Sequence, residues 1–256
     1  MTLPFILCLT FFAGTGSVWM ADALSRALAR AATGWPSVAQ SWQGAAAGAL
    51  LATALLYLLP EAIELQSARN VGAVVLAGVA VFFALDRAEL WHHGHEHGRN
   101  LLWPRSAGGS WAVLAGDALH AFGDGVVIAA AFVADARTGV VAAVAVAAHE
   151  IPHHAGDLVL VRGINGTRSA ALRKVSIAGS FCVLGGVAGW WLAGEVHGAM
   201  PWLLSLAASS FLYVALADLV PQLQGPWDRH EGAAQLGSLL AGMFAAAAAG
   251  QAAHAM

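Results

Sequence analysis

Two short segments concentrate the residue types that can do chemistry: GDALHAFGDG, Gly116 to Gly125, and AHEIPHHAGD, Ala148 to Asp157. Wound as helices, the first places Asp117, His120 and Asp124 at i, i+3 and i+7, on one face. The second places His149, His153 and Asp157 at i, i+4 and i+8, again on one face. Glu150 and His154 stand one step round the helix from that stripe. Imidazole and carboxylate together make a donor set for a borderline divalent ion. Zn2+ is the first candidate, with Fe2+, Mn2+ and Cd2+ behind it.

The elements that must position these residues are apolar. The chain has 256 residues, 59% hydrophobic and only 11% charged, where a soluble domain carries roughly a quarter charged residues. Tracts of about 20 apolar residues are membrane-spanning candidates. Eight are found, near 4–26, 40–59, 71–87, 111–133, 139–162, 175–193, 201–220 and 234–253. The fold class is therefore an all-α polytopic membrane protein, one domain over 1–256. Breaks are expected at Gly34-Trp35-Pro36, Leu59-Pro60-Glu61, the polar block 92–110 and Gly225-Pro226-Trp227. The tract 134–138 is so short that spans four and five must be an antiparallel hairpin. No Lys or Arg precedes Arg26, so the first span is expected to be retained rather than cleaved. A net charge of −3 without a basic face excludes a nucleic-acid partner. Cys8 and Cys182 lie in apolar tracts and imply no disulfide framework.

Orientation follows from the cations. Loops 1–2, 3–4, 5–6 and 7–8 hold ten of the twelve Lys and Arg, and the others hold only Arg69 and Arg137. The positive-inside rule then puts both termini on the non-cytoplasmic side of the cell's inner (plasma) membrane. The His-rich loop 88–110, with HHGHEHG at His92 to Gly98, faces the cytoplasm. Each ionisable group at the bilayer centre costs roughly 2.5–3.5 kcal/mol. Spans four and five carry several, which requires pairing, hydration or a bound cation. Pro152 removes a backbone donor and frees a carbonyl near Ala148, which can then face water or ion.

At these residues the chain resembles the ZIP (Zrt- and Irt-like protein) family of divalent-metal transporters, over nearly its whole length. HEIPHHAGD matches the fifth-helix pattern H-E-x-P-H-E-x-G-D of one subfamily, except that His154 replaces the second Glu. HAFGDG, His120 to Gly125, is similar to the fourth-helix pattern H-N-x-x-D-G, with Ala121 where Asn is expected. GALLATALLYLLPEA in span two, FFALDRAE before the His tract and SSFLYVALADLVPQ in span seven resemble the same subfamily. The resemblance implies a 3+2+3 bundle of inverted repeats. It also implies a metal site with His120 and Asp124 from helix four and His149 and His153 from helix five. Relatives with a second metal use the Asn, the first Glu of helix five and a Glu of helix six. Here Ala121 and Cys182 hold two of those positions, so only Glu150 and Asp124 remain for it. The span-two position of some relatives falls near Ala49, which offers no ligand. Leu59-Pro60-Glu61 against Val220-Pro221-Gln222 is a faint trace of the repeat.

The alternative function is an intramembrane zinc metalloprotease, because His149-Glu150-Ile151-Pro152-His153 satisfies H-E-x-x-H. Such an enzyme needs both histidines on one zinc, a third ligand and an open position for water. His120 would crowd that position, Asp124 lies before the motif rather than on a later span, and Pro152 bends the helix. The resemblance implies that the site residues are His120, Asp124, His149, Glu150 and His153, binding a transported dication. Asp117 and Asp157 are read as lining the path or as carboxylates that support the ligands. A metal sensor without transport is a further reading. Trp residues fall near span ends as interfacial anchors. Small residues in spans six and eight permit close packing, within the chain or in a homodimer.

Overall fold

The structure is a computed structural model and describes residues 2–30, 35–93, 109–195, 198–223 and 229–254. Those residues form eight helical rods and no strand. They are α1 (2–30), α2 (35–65), α3 (Ala68–His93), α4 (Gly109–Ala134), α5 (Ala136–Asn165), α6 (168–195), α7 (200–223) and α8 (Arg229–His254). Six of them contain stretches long and apolar enough to cross a membrane. The exceptions have physical causes. The apolar part of α3 is described over Ala68–Ala84 only, and α5 carries His149, Glu150, His153, His154 and Asp157 in its middle. Of the expected loop 88–110, residues 94–108 lie outside the described residues, and α3 runs on to His93.

Two expected breaks are resolved differently. The 134–138 tract shrinks to Asp135, which caps α5 by accepting from the Arg137 N–H at 2.7 Å and the Thr138 N–H at 3.4 Å. The break at Leu59-Pro60-Glu61 does not occur, and α2 continues to Leu65. A π-helical turn at Ala54–Leu58 precedes the proline, and the Leu59 N–H reaches back to the Ala54 carbonyl. Such register shifts let a membrane helix pass through proline without stranding its backbone groups. α7 repeats the device, with a π turn at Val214–Leu219 followed by Val220-Pro221. A third π turn, Phe12–Gly16 in α1, lies against the interruption of α6 at Ser180. There a Cβ on Gly14 would overlap the Gly179 carbonyl oxygen, and one on Gly179 would come within 2.8 Å of the Gly14 oxygen.

The small residues act inside the chain. α4 packs on α6, where a Cβ on Gly125 would overlap the Cys182 carbonyl and one on Gly185 the Phe122 carbonyl. α8 packs on α2, where a Cβ on Gly242 would overlap the Ala45 carbonyl and one on Gly48 the Leu239 carbonyl. Backbones this close gain dispersion contacts that no hydrophobic effect supplies within lipid. Gly242→Val should lower the thermal stability of the detergent-solubilised protein by about 1–3 kcal/mol, because the added methyls meet main chain that cannot rotate away. Gly237→Ala, with nothing within 4 Å of its Cβ, is the matched control.

Pro152 sits inside α5 as expected, and the carbonyl it frees finds a partner on another helix. The Trp42 indole Nε1 on α2 donates to the Ala148 oxygen at 2.7 Å. That bond ties the start of the second span to α5. Trp19, Trp191 and Trp202 are about half exposed. Trp42→Phe should cost about 1–3 kcal/mol by stranding the Ala148 carbonyl. In a Pro152→Ala background residue 152 again has an N–H for that carbonyl, so the loss should shrink; equal losses in both backgrounds would remove the bond from the account. Outside the bundle, Leu76, Val159 and Phe244 are more than two-thirds exposed. Such apolar side chains face outward, whereas Asp117, Asp124, His149, Glu150 and His154 are buried inside the bundle.

Candidate metal site

The hairpin of α4 and α5 brings the two polar stripes face to face. Nearer the Asp135 turn, His120, Asp124, His149 and Glu150 each offer one ligand atom, all within 4.8 Å of one another. His149 Nε2 is the hub. It lies 3.3 Å from Asp124 Oδ2, 3.3 Å from Glu150 Oε1 and 3.4 Å from His120 Nε2. His120 Nε2 is 3.5 Å from Glu150 Oε1 and 3.9 Å from Asp124 Oδ2. Asp124, His149 and Glu150 are at most 2% exposed, and His120 is half-buried.

Neither oxygen of Asp124 or of Glu150 receives a hydrogen bond among the described residues. Buried carboxylates are normally satisfied, and orphaned oxygens such as Asp124 Oδ2 and Glu150 Oε1, which face imidazole nitrogens, need a physical reason. A dication at their centre supplies one, with two carboxylates matching its charge and two imidazoles favouring zinc-like ions over magnesium or calcium.

His153, expected in the same cage, is placed one turn further from the hairpin end. Its Nδ1 lies 3.5 Å from Asp157 Oδ2 and 3.7 Å from Asp117 Oδ1, and only 4.0 Å from Glu150 Oε1. It groups with Asp117, His154 and Asp157, whose ligand atoms also fall within 4.8 Å of one another. Glu150 faces both groups, since its Oε2 is 3.2 Å from His154 Nε2. Asp117 and His154 were not among the expected ligands. Both are buried, and the departure of His154 from the family pattern was the available signal. Ala121 packs in the apolar core, and Cys182, also buried, belongs to neither group.

This geometry bears on H-E-x-x-H. A zincin bonds both histidines to one metal, whereas here His149 and His153 serve different donor groups. The match to known proteins points the same way. A family model described as ZIP Zinc transporter matches residues 89–249. The chain belongs to the ZIP family. Zinc transporter ZIP13 of Pongo abelii is 30% identical over 205 residues, which covers 71% of this chain and 58% of that protein. Zinc transporter ZIP10 of Homo sapiens is 32% identical over 150 residues, 55% of this chain and 18% of the relative. Zinc transporter ZIP6 of Homo sapiens is 34% identical over 114 residues, 44% of this chain but 15% of the relative. The chain thus spans less than a fifth of those two ZIP relatives. ZIP relatives are named as transporters and not as enzymes, and the protease alternative gains no support from them.

Proposed function

We propose that this chain carries a divalent metal ion, zinc first, across the cell's inner membrane into the cytoplasm, through a site between α4 and α5. The observation that carries the reading is the first donor group: four ligand atoms from two antiparallel membrane helices, three of their residues nearly sealed from solvent, with carboxylate oxygens that no donor satisfies. Membership of the ZIP family and the names of the relatives support it.

On this reading all eight rods span, both termini lie outside, and α4 and α5 meet the outer face at Asp135. The distribution of Lys and Arg supports that orientation. The ion enters from the outer face and sheds water onto His120, Asp124, His149 and Glu150. It leaves past Asp117, His153 and Asp157. Inward movement of a +2 ion is favoured by the membrane potential by roughly 2 × 2.3 kcal/mol per 100 mV. The donors come from two helices only, so sliding one bundle past another can reshape the access on either side without dismantling the cage.

The experiment is zinc flux into liposomes holding the purified full chain, with Fe2+, Mn2+ and Cd2+ as competitors. Saturable, chelator-sensitive zinc entry is expected, and Cd2+ should compete best because it shares zinc's preference for imidazole. Zinc binding without flux would favour a sensor. Cleavage of a membrane peptide would revive the protease.

A further inference from the structure

We infer that Asp117, His153, His154 and Asp157 form a second divalent-cation site, about one helical turn from the first. His154 is its buried anchor, and Ser17 of α1 is the residue that aims it. Ser17 is fully buried. Its hydroxyl donates to the Gly14 carbonyl at 2.6 Å, a backbone acceptor one turn away on its own helix. With that proton committed, Ser17 Oγ meets His154 Nδ1 at 2.9 Å as an acceptor. The hydrogen of the neutral ring therefore sits on Nδ1, and the lone pair sits on Nε2.

That lone pair is aimed at carboxylates. His154 Nε2 lies 3.2 Å from Glu150 Oε2 and 3.7 Å from Asp117 Oδ1. Electron pairs converging in a buried space repel one another, and a cation between them turns each into a ligand. The orphaned atoms mark the place: both oxygens of Asp117, Oδ2 of Asp157 and Nε2 of His154 lack a hydrogen-bond partner among the described residues. Asp117 and His154 are at most 5% exposed. His153 and Asp157 close the other side, and the His153 side chain is 40% exposed. One wall is thus sealed and preorganised, while the other is open to exchange.

The two sites meet at Glu150, whose Oε1 faces the first and Oε2 the second, and their other donors are separate. A metal-ligating histidine usually donates its other ring N–H to an oxygen acceptor, and Ser17 Oγ stands in that place here. The position of the second site on the cytoplasmic side of the first rests on the transport reading above, whereas its existence does not. In that orientation the ion passes from a buried cage to a half-open one before release.

The test counts zinc bound to the purified full chain, with His92, His93, His95 and His97 replaced by Ala so that the loop contributes none. Two zinc ions per chain are expected. This count needs no variant in the bundle. Asp117→Asn and His154→Gln should each leave one, His149→Ala should also leave one, and Asp117→Asn combined with His149→Ala should leave none. Ser17→Ala should weaken the second zinc about 10–100-fold without changing the first, and Ser17→Thr should restore it. A single zinc per chain in the reference protein, or two retained in Asp117→Asn, overturns the proposal. Zinc flux with one bound ion would leave the transport reading standing without this site. Two bound ions without flux would do the reverse.

Discussion

Replacing His149 by Ala is expected to reduce zinc uptake by about 100-fold or more while the chain still inserts and folds. Even the loss of a residue that merely supports a ligand typically costs 10–100-fold in metal affinity. His149 is more than a support. Its Nε2 is within 3.4 Å of one atom from each of the other three donors, and none of those pairs is bridged as closely by another residue of the group. Alanine leaves two buried carboxylates and a half-buried imidazole around a void, too few neutral ligands to replace the water an ion must shed. Insertion should survive because the substitution makes α5 more apolar at a position that faces no lipid. Asp124→Ala is expected to act alike. Uptake of radioactive zinc into liposomes, normalised to inserted protein, is the measurement. Undiminished uptake in either variant would falsify the site.

Glu150→Gln should have the second largest effect, and it separates charge from shape. With Asp124, Glu150 makes the first donor group carry two negative charges for a dication. Glutamine keeps the size and one acceptor oxygen but leaves the bound ion short of a neutralising partner inside the bundle. Removing one partner of a buried ionic contact costs about 3–5 kcal/mol, which corresponds to at least roughly 100-fold weaker binding. Zinc affinity in detergent and flux in liposomes should therefore fall together. If affinity holds while flux loses its dependence on pH, Glu150 is a proton acceptor and not a ligand. If neither changes, it only holds His149 and His154 in place, and the charge argument fails.

The sequence by itself determined a good deal about this protein. Scarce charge and long apolar tracts required helical rods, because only a helix satisfies every backbone group of an isolated span in lipid. The periodicity of Asp117, His120 and Asp124, and of His149, His153 and Asp157, placed ionisable side chains on one face of each of two rods. The five residues between spans four and five forced those rods into a hairpin. These conclusions rest on local geometry, and local geometry is written in the order of residues.

What the tertiary structure alone decided is which atoms meet. Spacing on one helix says that His149 and His153 share a face. The relative rotation and sliding of α4 against α5 decides that one joins Asp124 and the other Asp117. The same holds for Trp42, which satisfies a carbonyl 106 residues away, and for Ser17, which aims a ring 137 residues away. No periodicity encodes such pairs. The glycines of α6 and α8 were legible as close-packing residues, but their partners, α4 and α2, follow only from the assembled bundle. Pro60 read as a break because proline lacks a donor, and the π turn that carries α2 through it depends on a register the residue order does not display. Packing between rods is set by many weak contacts summed over the whole bundle, and a sequence shows those contacts only after the fold has brought them together.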